Sequence, residues 1–183
     1  MALMDHRIVF VAAVFACGGG EKPAPPPDRA ATAATPAATQ DTTAATQLAR
    51  PGAPQALLSA IAATAESGYD RVVFEFAGEG VPGYRVEYLP QVVRCGSGDP
   101  VSVQGAAGLV VRFEPARAHD DQGHPTLPAR ESTLGLPALT EWKLICDFEG
   151  QVQFLFGVAA MTPYRMSEQV TPPGLILEVR HAP

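Results

Sequence analysis

The period of the apolar residues restricts the fold more than any other feature of the chain. Val72, Phe74 and Phe76 form one alternating run, and Tyr84, Val86 and Tyr88 form another. The pattern repeats at Leu109, Val111 and Phe113; at Trp142, Leu144 and Cys146; at Val152, Phe154 and Phe156; and at Leu175, Leu177 and Val179. Successive side chains of a strand point to opposite faces, so a period of two puts each trio on one side of a sheet. Six such runs, with Gly/Pro punctuation between them and no long 3.6-residue pattern, predict an all-β chain folded as a single antiparallel β-sandwich or barrel. Turn chemistry agrees, because Gly78 to Gly83, Gly96 to Pro100 and Glu149-Gly150 fall between runs. Leu57 to Glu66 stays open: its alanines favour a helix, while its small-residue alternation suits an edge strand.

The N-terminal third reads differently. Ile8 to Ala16 is nine residues without a polar side chain, too short to span a bilayer, which takes about twenty. It has the character of an export signal's apolar core. Val14-Phe15-Ala16-Cys17, followed by three glycines, resembles the lipobox of bacterial lipoproteins, which implies cleavage before Cys17 and its acylation; the alternative is a soluble secreted protein. Residues 21–54 hold 11 Ala, 7 Pro and 6 Thr among 34 positions and no aromatic residue. Such a stretch buries too little apolar surface to offset the entropy of ordering it. The expected organisation is therefore a signal segment over 1–17, a disordered linker over 18–54 and a folded domain over 55–183.

Charge removes one class of function. The chain carries 13 Lys+Arg against 19 Asp+Glu, and only Lys22 and Lys143 are lysines, so nucleic acid finds no concentrated basic face. The motifs of common hydrolases and of phosphate-cradling loops are absent. Glu75 and Glu87 are carboxylates of a type used in glycan hydrolysis, but on alternating strands they face solvent. No catalytic residue and no cofactor is expected.

The segments Tyr69-Asp70-Arg71-Val72-Val73-Phe74-Glu75-Phe76, Pro82-Gly83-Tyr84-Arg85-Val86-Glu87-Tyr88, Pro115-Ala116-Arg117-Ala118-His119-Asp120, Asp147-Phe148-Glu149-Gly150 and Pro172-Pro173-Gly174-Leu175-Ile176-Leu177-Glu178-Val179 occur in that order. Together they resemble the AMIN-like domains of bacterial lipoproteins, over roughly residues 57–181. The resemblance implies a small β-sandwich outside the cytoplasm. AMIN domains are implicated in holding cell-wall amidases and secretin components at peptidoglycan, so it also implies binding in the envelope rather than catalysis. The expected partners are the membrane, through the lipid, and peptidoglycan or a wall-associated protein. A structural subunit without glycan affinity is one alternative; a metal-dependent hydrolase using the His119 to His124 loop is another.

Site residues are suggested by residue chemistry. Tyrosines 69, 84, 88 and 164 are ring-stacking types, and Arg71, Arg85 and Arg165 are suited to bidentate carboxylate contacts. Tyr84 and Tyr88 share the inward parity of Val86, which favours the core. Arg117, His119 and Asp120 stand in the richest polar cluster, whose two imidazoles and two carboxylates are metal-ligand types at poor spacing. A polar turn explains that cluster equally well, with Asp120 or Asp121 capping backbone N–H groups and Gly123 at positive φ. The ligand-binding expectation is Arg71, Tyr84, Arg117, His119 and Asp120, with no metal site. Cys95 and Cys146 remain once Cys17 is assigned to the lipid. In an exported chain they are expected to pair, closing a loop worth about 4 kcal/mol in the chain-entropy model; two separately buried thiols are the alternative.

Overall fold

The structure, a computed structural model, describes residues 40–183. The expected signal segment, Cys17 and most of the linker lie outside the described residues. Those described form strands only, with no helix, in two sheets. The strands are β1 (Thr46–Leu48), β2 (Ala56–Glu66), β3 (Tyr69–Ala77), β4 (Gly83–Leu89), β5 (Ala107–Glu114), β6 (Ala116–Arg117), β7 (Glu131–Thr133), β8 (Leu139–Phe148), β9 (Gln151–Val158), β10 (Tyr164–Gln169) and β11 (Gly174–Arg180). One sheet runs β1-β4-β5-β9-β8-β7 and the other β10-β11-β3-β2-β6. All pairings are antiparallel except the short β2–β6 ladder. Leu57 to Glu66 is thus a strand, pairing with β3 through a bulge between Leu58 and Ala60.

The period-two trios meet between the sheets. Phe74 of β3 lies fully buried, with ring centroids of Phe113, Phe154 and Phe156 at 4.8, 5.4 and 6.1 Å. The Phe113 and Phe156 contacts are edge-to-face, an arrangement that adds about 0.5–1.5 kcal/mol per pair beyond area burial. Val72, Val86, Leu109, Val111, Leu175, Leu177 and Val179 complete the same cluster. Glu149 and Gly150 both take positive φ and join β8 to β9 in a two-residue turn whose twist suits a hairpin.

One alternation breaks. Leu144 pairs with Phe154, but Cys146 pairs with Gln153, so Ile145 is an extra residue in β8. A bulge of this kind reverses the parity of the residues after it. Cys146 therefore leaves the face of Trp142 and Leu144 and turns outward, where a disulfide joins it to Cys95 with the α-carbons 5.2 Å apart. Cys95 belongs to residues 90–106, which strap over the outer face of the six-stranded sheet. Beneath the strap, Val110, Ile145 and Leu155 pack with Leu89, Val92, Val101 and Val103 as a second apolar cluster. Gly157 permits the close approach, since a Cβ there would collide with the Gln104 carbonyl oxygen.

Residues 40–54, which composition assigns to the linker, make ordered contacts among the described residues. Thr42 exchanges backbone hydrogen bonds with Tyr164 of β10, and Thr46–Leu48 then pair with β4, so this segment crosses from one sheet to the other. The buried Tyr164 hydroxyl lies 2.7 Å from the carbonyls of both Ala44 and Val86, holding the crossing in place. Composition misses it for a physical reason: Gln47 and Leu48 stay exposed, and the segment is held by backbone pairing rather than by burial of its own side chains.

Candidate functional site

Three strands of the five-stranded sheet assemble a cationic cluster on its outer face. Register places Arg165 of β10 opposite Glu178 of β11, Glu178 opposite Arg71 of β3, and Arg180 opposite Tyr69. The guanidinium carbons of Arg71, Arg165 and Arg180 lie 5.4, 5.8 and 5.9 Å from the centroid of the Tyr69 ring. These distances fall within the range of cation–π attraction. Tyr69 opens β3 directly after Gly68, whose φ of 85° makes the tight return from β2, so the ring sits at the sheet's end.

Glu178 organises the cations. Arg71 donates from Nε and Nη2 to Glu178 Oε1 at 3.1 and 2.8 Å, and Arg165 Nε donates to Oε2. Burial pushes the Glu178 carboxyl up, but the hydrogen bonds from Arg165 and Arg71 outweigh it and hold the group below the usual carboxylate range. The same carboxylate holds the Arg71 and Arg165 guanidiniums above their ordinary value. Arg180 Nε donates to Asp41 at 2.8 Å, and Arg71 Nη2 to the Tyr69 hydroxyl at 2.9 Å. Arg165 and Arg180 each commit only Nε to a carboxylate among the described residues, so their outer N–H groups remain for an incoming acceptor. Beside this row the face is uncharged: Ser167, Ile176, Val73 and Ala62 succeed one another across four strands.

The platform is anchored from behind. Asp70, fully buried, accepts from the backbone N–H groups of Ala138 and Leu139 at 2.7 and 2.8 Å, and its other oxygen meets His181 Nε2 at 2.8 Å. A buried carboxylate needs such partners. These tie the start of β3 to the opposite sheet and to the chain end, fixing the strand that carries Tyr69 and Arg71.

The five expected ligand residues do not converge. Arg71 belongs to the cluster just described. Tyr84 is buried on the opposite sheet, as its parity implies, and lines a groove beside β1. Arg117, His119 and Asp120 lie on and after β6, at an edge of the five-stranded sheet, and each is engaged locally. Arg117 pairs with Asp121, His119 Nδ1 meets Asp147 Oδ2 at 2.9 Å, and Asp120 Oδ1 accepts from the N–H groups of Gln122 and His124. The N–H of His124 is the main cause holding Asp120 below the usual carboxylate range. Gly123 has φ of 84°, so this is a capped polar turn. Among the described residues, no group of three His, Cys, Asp or Glu side chains is placed to hold a metal ion. The expectation omitted Arg180 and Asp41, and named Tyr69 and Arg165 by chemistry alone. Outward parity on β10 and β11 was the available signal for both arginines.

Fold and face together define a small antiparallel β-sandwich with part-exposed arginines gathered around Tyr69 on one sheet. More particularly, the model of the AMIN-like domain family matches residues 56–181, and the chain belongs to that family. No curated protein and no solved structure matches it. Among the described residues, no helix is long and apolar enough to cross a membrane.

Proposed function

We propose that this chain is an extracytoplasmic binding module of the bacterial envelope that contacts peptidoglycan through the Tyr69 face. The carrying observation is the ring of three guanidiniums around one tyrosine, on side chains that stay part-exposed. A wall glycan with its peptides presents sugar rings beside carboxylates. An uncharged strip flanked by arginines complements that combination, since a guanidinium fork matches a carboxylate in two hydrogen bonds. Membership of the AMIN-like family supports the envelope setting. The role is binding without catalysis.

Co-sedimentation of the full chain with purified sacculi tests the reading. The wild type pellets with the wall, and the double variant Arg165→Ala, Arg180→Ala loses at least about tenfold in affinity, as expected for losing charged hydrogen bonds. Wild-type pelleting no greater than that of an unrelated β-domain sinks the glycan reading and leaves a protein-binding subunit. The N-terminal part of the proposal is acylation at Cys17. Cys17→Ala then yields a protein of lower mass that leaves the membrane fraction, and an unchanged distribution overturns the anchor.

A further inference from the structure

β2 is the longest strand of the smaller sheet, and most of its outer edge has no partner. β6 pairs with it only at Ala56 and Leu57, and Thr126 Oγ1 then donates to the Leu58 carbonyl. From residue 59 to residue 66, no backbone hydrogen bond reaches β2 from the side away from β3 among the described residues. The register shows which groups this leaves. Phe76 N–H donates to Pro173 on the β11 side, so the alternate residues Glu75, Val73 and Arg71 turn their backbone groups to β2, where they meet Ala60, Ala62 and Thr64. Ile61, Ala63 and Ala65 therefore direct their N–H and C=O groups outward.

Sheet edges are ordinarily blunted by lysine, proline or an inward-pointing charge. This stretch has no lysine and no proline, its single charge is the outward Glu66 at its end, and its bulge lies where β6 stops. Ile61 and Ala63 point inward, packed against the core yet part-exposed. The layering shows what fits there. Phe74 of β3 stacks on β5 and β9, and Tyr164 of β10 bonds Val86 of β4, so β2 lies on the β8 side of the sandwich. β7, one strand beyond β8, extends past β2 in the larger sheet. The fifth place of the smaller sheet is thus taken by β6 for two residues and then left to solvent. A second copy offering its own β2 would drive its β8 and β7 into the space of these two strands, so the place suits one added strand and not another sandwich.

We propose that the β2 edge takes up an extended segment of another protein, which adds to the smaller sheet as a strand alongside Ala60 to Glu66. Its backbone supplies the partners that Ile61, Ala63 and Ala65 lack, its inward residues are apolar and cover Ile61 and Ala63, and its outward residues are polar. Glu66 at one end, and Glu75 beside Ala60 at the other, favour a lysine or arginine at each end of that segment. The edge stands apart from the peptidoglycan reading: failure of sacculus binding leaves it intact, and its own failure leaves the Tyr69 face intact.

The test combines hydrogen exchange with a nitrogen-15 NMR titration of the full chain. The probe is the peptide acetyl-Lys-Val-Thr-Val-Thr-Val-Lys-amide, whose side-chain order is the same in both directions and so serves either strand polarity. In the free chain the amides of Ile61, Ala63 and Ala65 exchange about tenfold or more faster than those of Ala62 and Thr64, which bond β3. The peptide shifts the first three saturably and slows their exchange. Ala63→Pro, which removes an outward N–H and none that serves β3, weakens peptide binding by about tenfold or more. Ala63→Lys does the same with every backbone donor in place, by setting a charge against the incoming valines. Arg165→Ala with Arg180→Ala leaves binding unchanged. The proposal is overturned if those three amides are already protected in the free chain, if the peptide causes no saturable shift at them, if the shifts gather around Tyr69, or if both Ala63 variants bind like the wild type.

Discussion

The outer faces of the two sheets received opposite treatment. On the six-stranded sheet three outward side chains of the middle strands are apolar, Val110, Ile145 and Leu155, and the 90–106 strap covers them under a disulfide, with the polar Arg112 and Gln153 further along the same face. On the five-stranded sheet the corresponding positions carry Arg71, Glu178 and Arg165, and the two arginines stay part-exposed among the described residues. One face therefore supports the fold and the other is available to a partner. An exposed apolar patch on the first would invite association. Arginines held around a carboxylate on the second cost the fold little and keep unused donors in solvent.

That contrast can be broken or sharpened by experiment. The largest effect belongs to the covered face: replacing both cysteines, Cys95→Ser with Cys146→Ser, removes about 4 kcal/mol by the chain-entropy estimate for a loop of this size. Urea denaturation measures the loss, and increased binding of a hydrophobic dye reports the uncovered cluster. Stability within about 1 kcal/mol of wild type would show that the strap holds without its covalent tie. Next comes Gly157→Ala, whose methyl group meets the Gln104 carbonyl and must lift the strap, costing about 1–3 kcal/mol as other overpacked sites do. Thermal denaturation reads this directly.

Two smaller effects concern the cationic face. Glu178 is ionised more readily in the fold than its ordinary value of 4.5, so its contribution is complete above that value and is lost as pH falls through the lower folded value. Acid unfolding of the wild type should therefore be steeper below about pH 4.5 than that of Glu178→Gln, while the two run parallel near neutrality; identical acid limbs would refute the arginine clamp. The smallest change is in stability on removing Arg165 or Arg180, each part-exposed, at less than about 1 kcal/mol. If either alanine variant instead unfolds the protein, the cationic face is a structural element and the comparison fails.

Much of the architecture was legible because it is dictated by the period of two. The trios at Val72, Tyr84, Leu109, Val152 and Leu175 lie on β3, β4, β5, β9 and β11, with their apolar members in the core. Legibility ended where one residue changes the count. Ile145 reverses the parity of Cys146, and nothing in the composition of β8 marks the bulge. It ended again at β1 and β10, whose places depend on partners far away in the chain. Thr42 finds Tyr164, and Arg180 finds Asp41. The Tyr69 cluster shares that property. Arg71 could be singled out by residue type, but the ring around Tyr69 comes from the register of three strands, and register is decided by the whole core.

The crossing segment also sets the mechanical character of the domain. Any pull transmitted from the N-terminal side enters at Thr42 and β1, at the margin where the two sheets are joined. Three-residue β1 is an edge strand, and a load applied at its end peels its ladder one bond at a time instead of shearing all its bonds together. Such an edge yields at low force while the strands behind it, held by the Phe74 cluster, stay folded. Under tension the first contacts to part would be those nearest the pull, the Asp41–Arg180 pair and the Thr42–Tyr164 bridge, so strain along the chain would reach the cationic face before it reached the core.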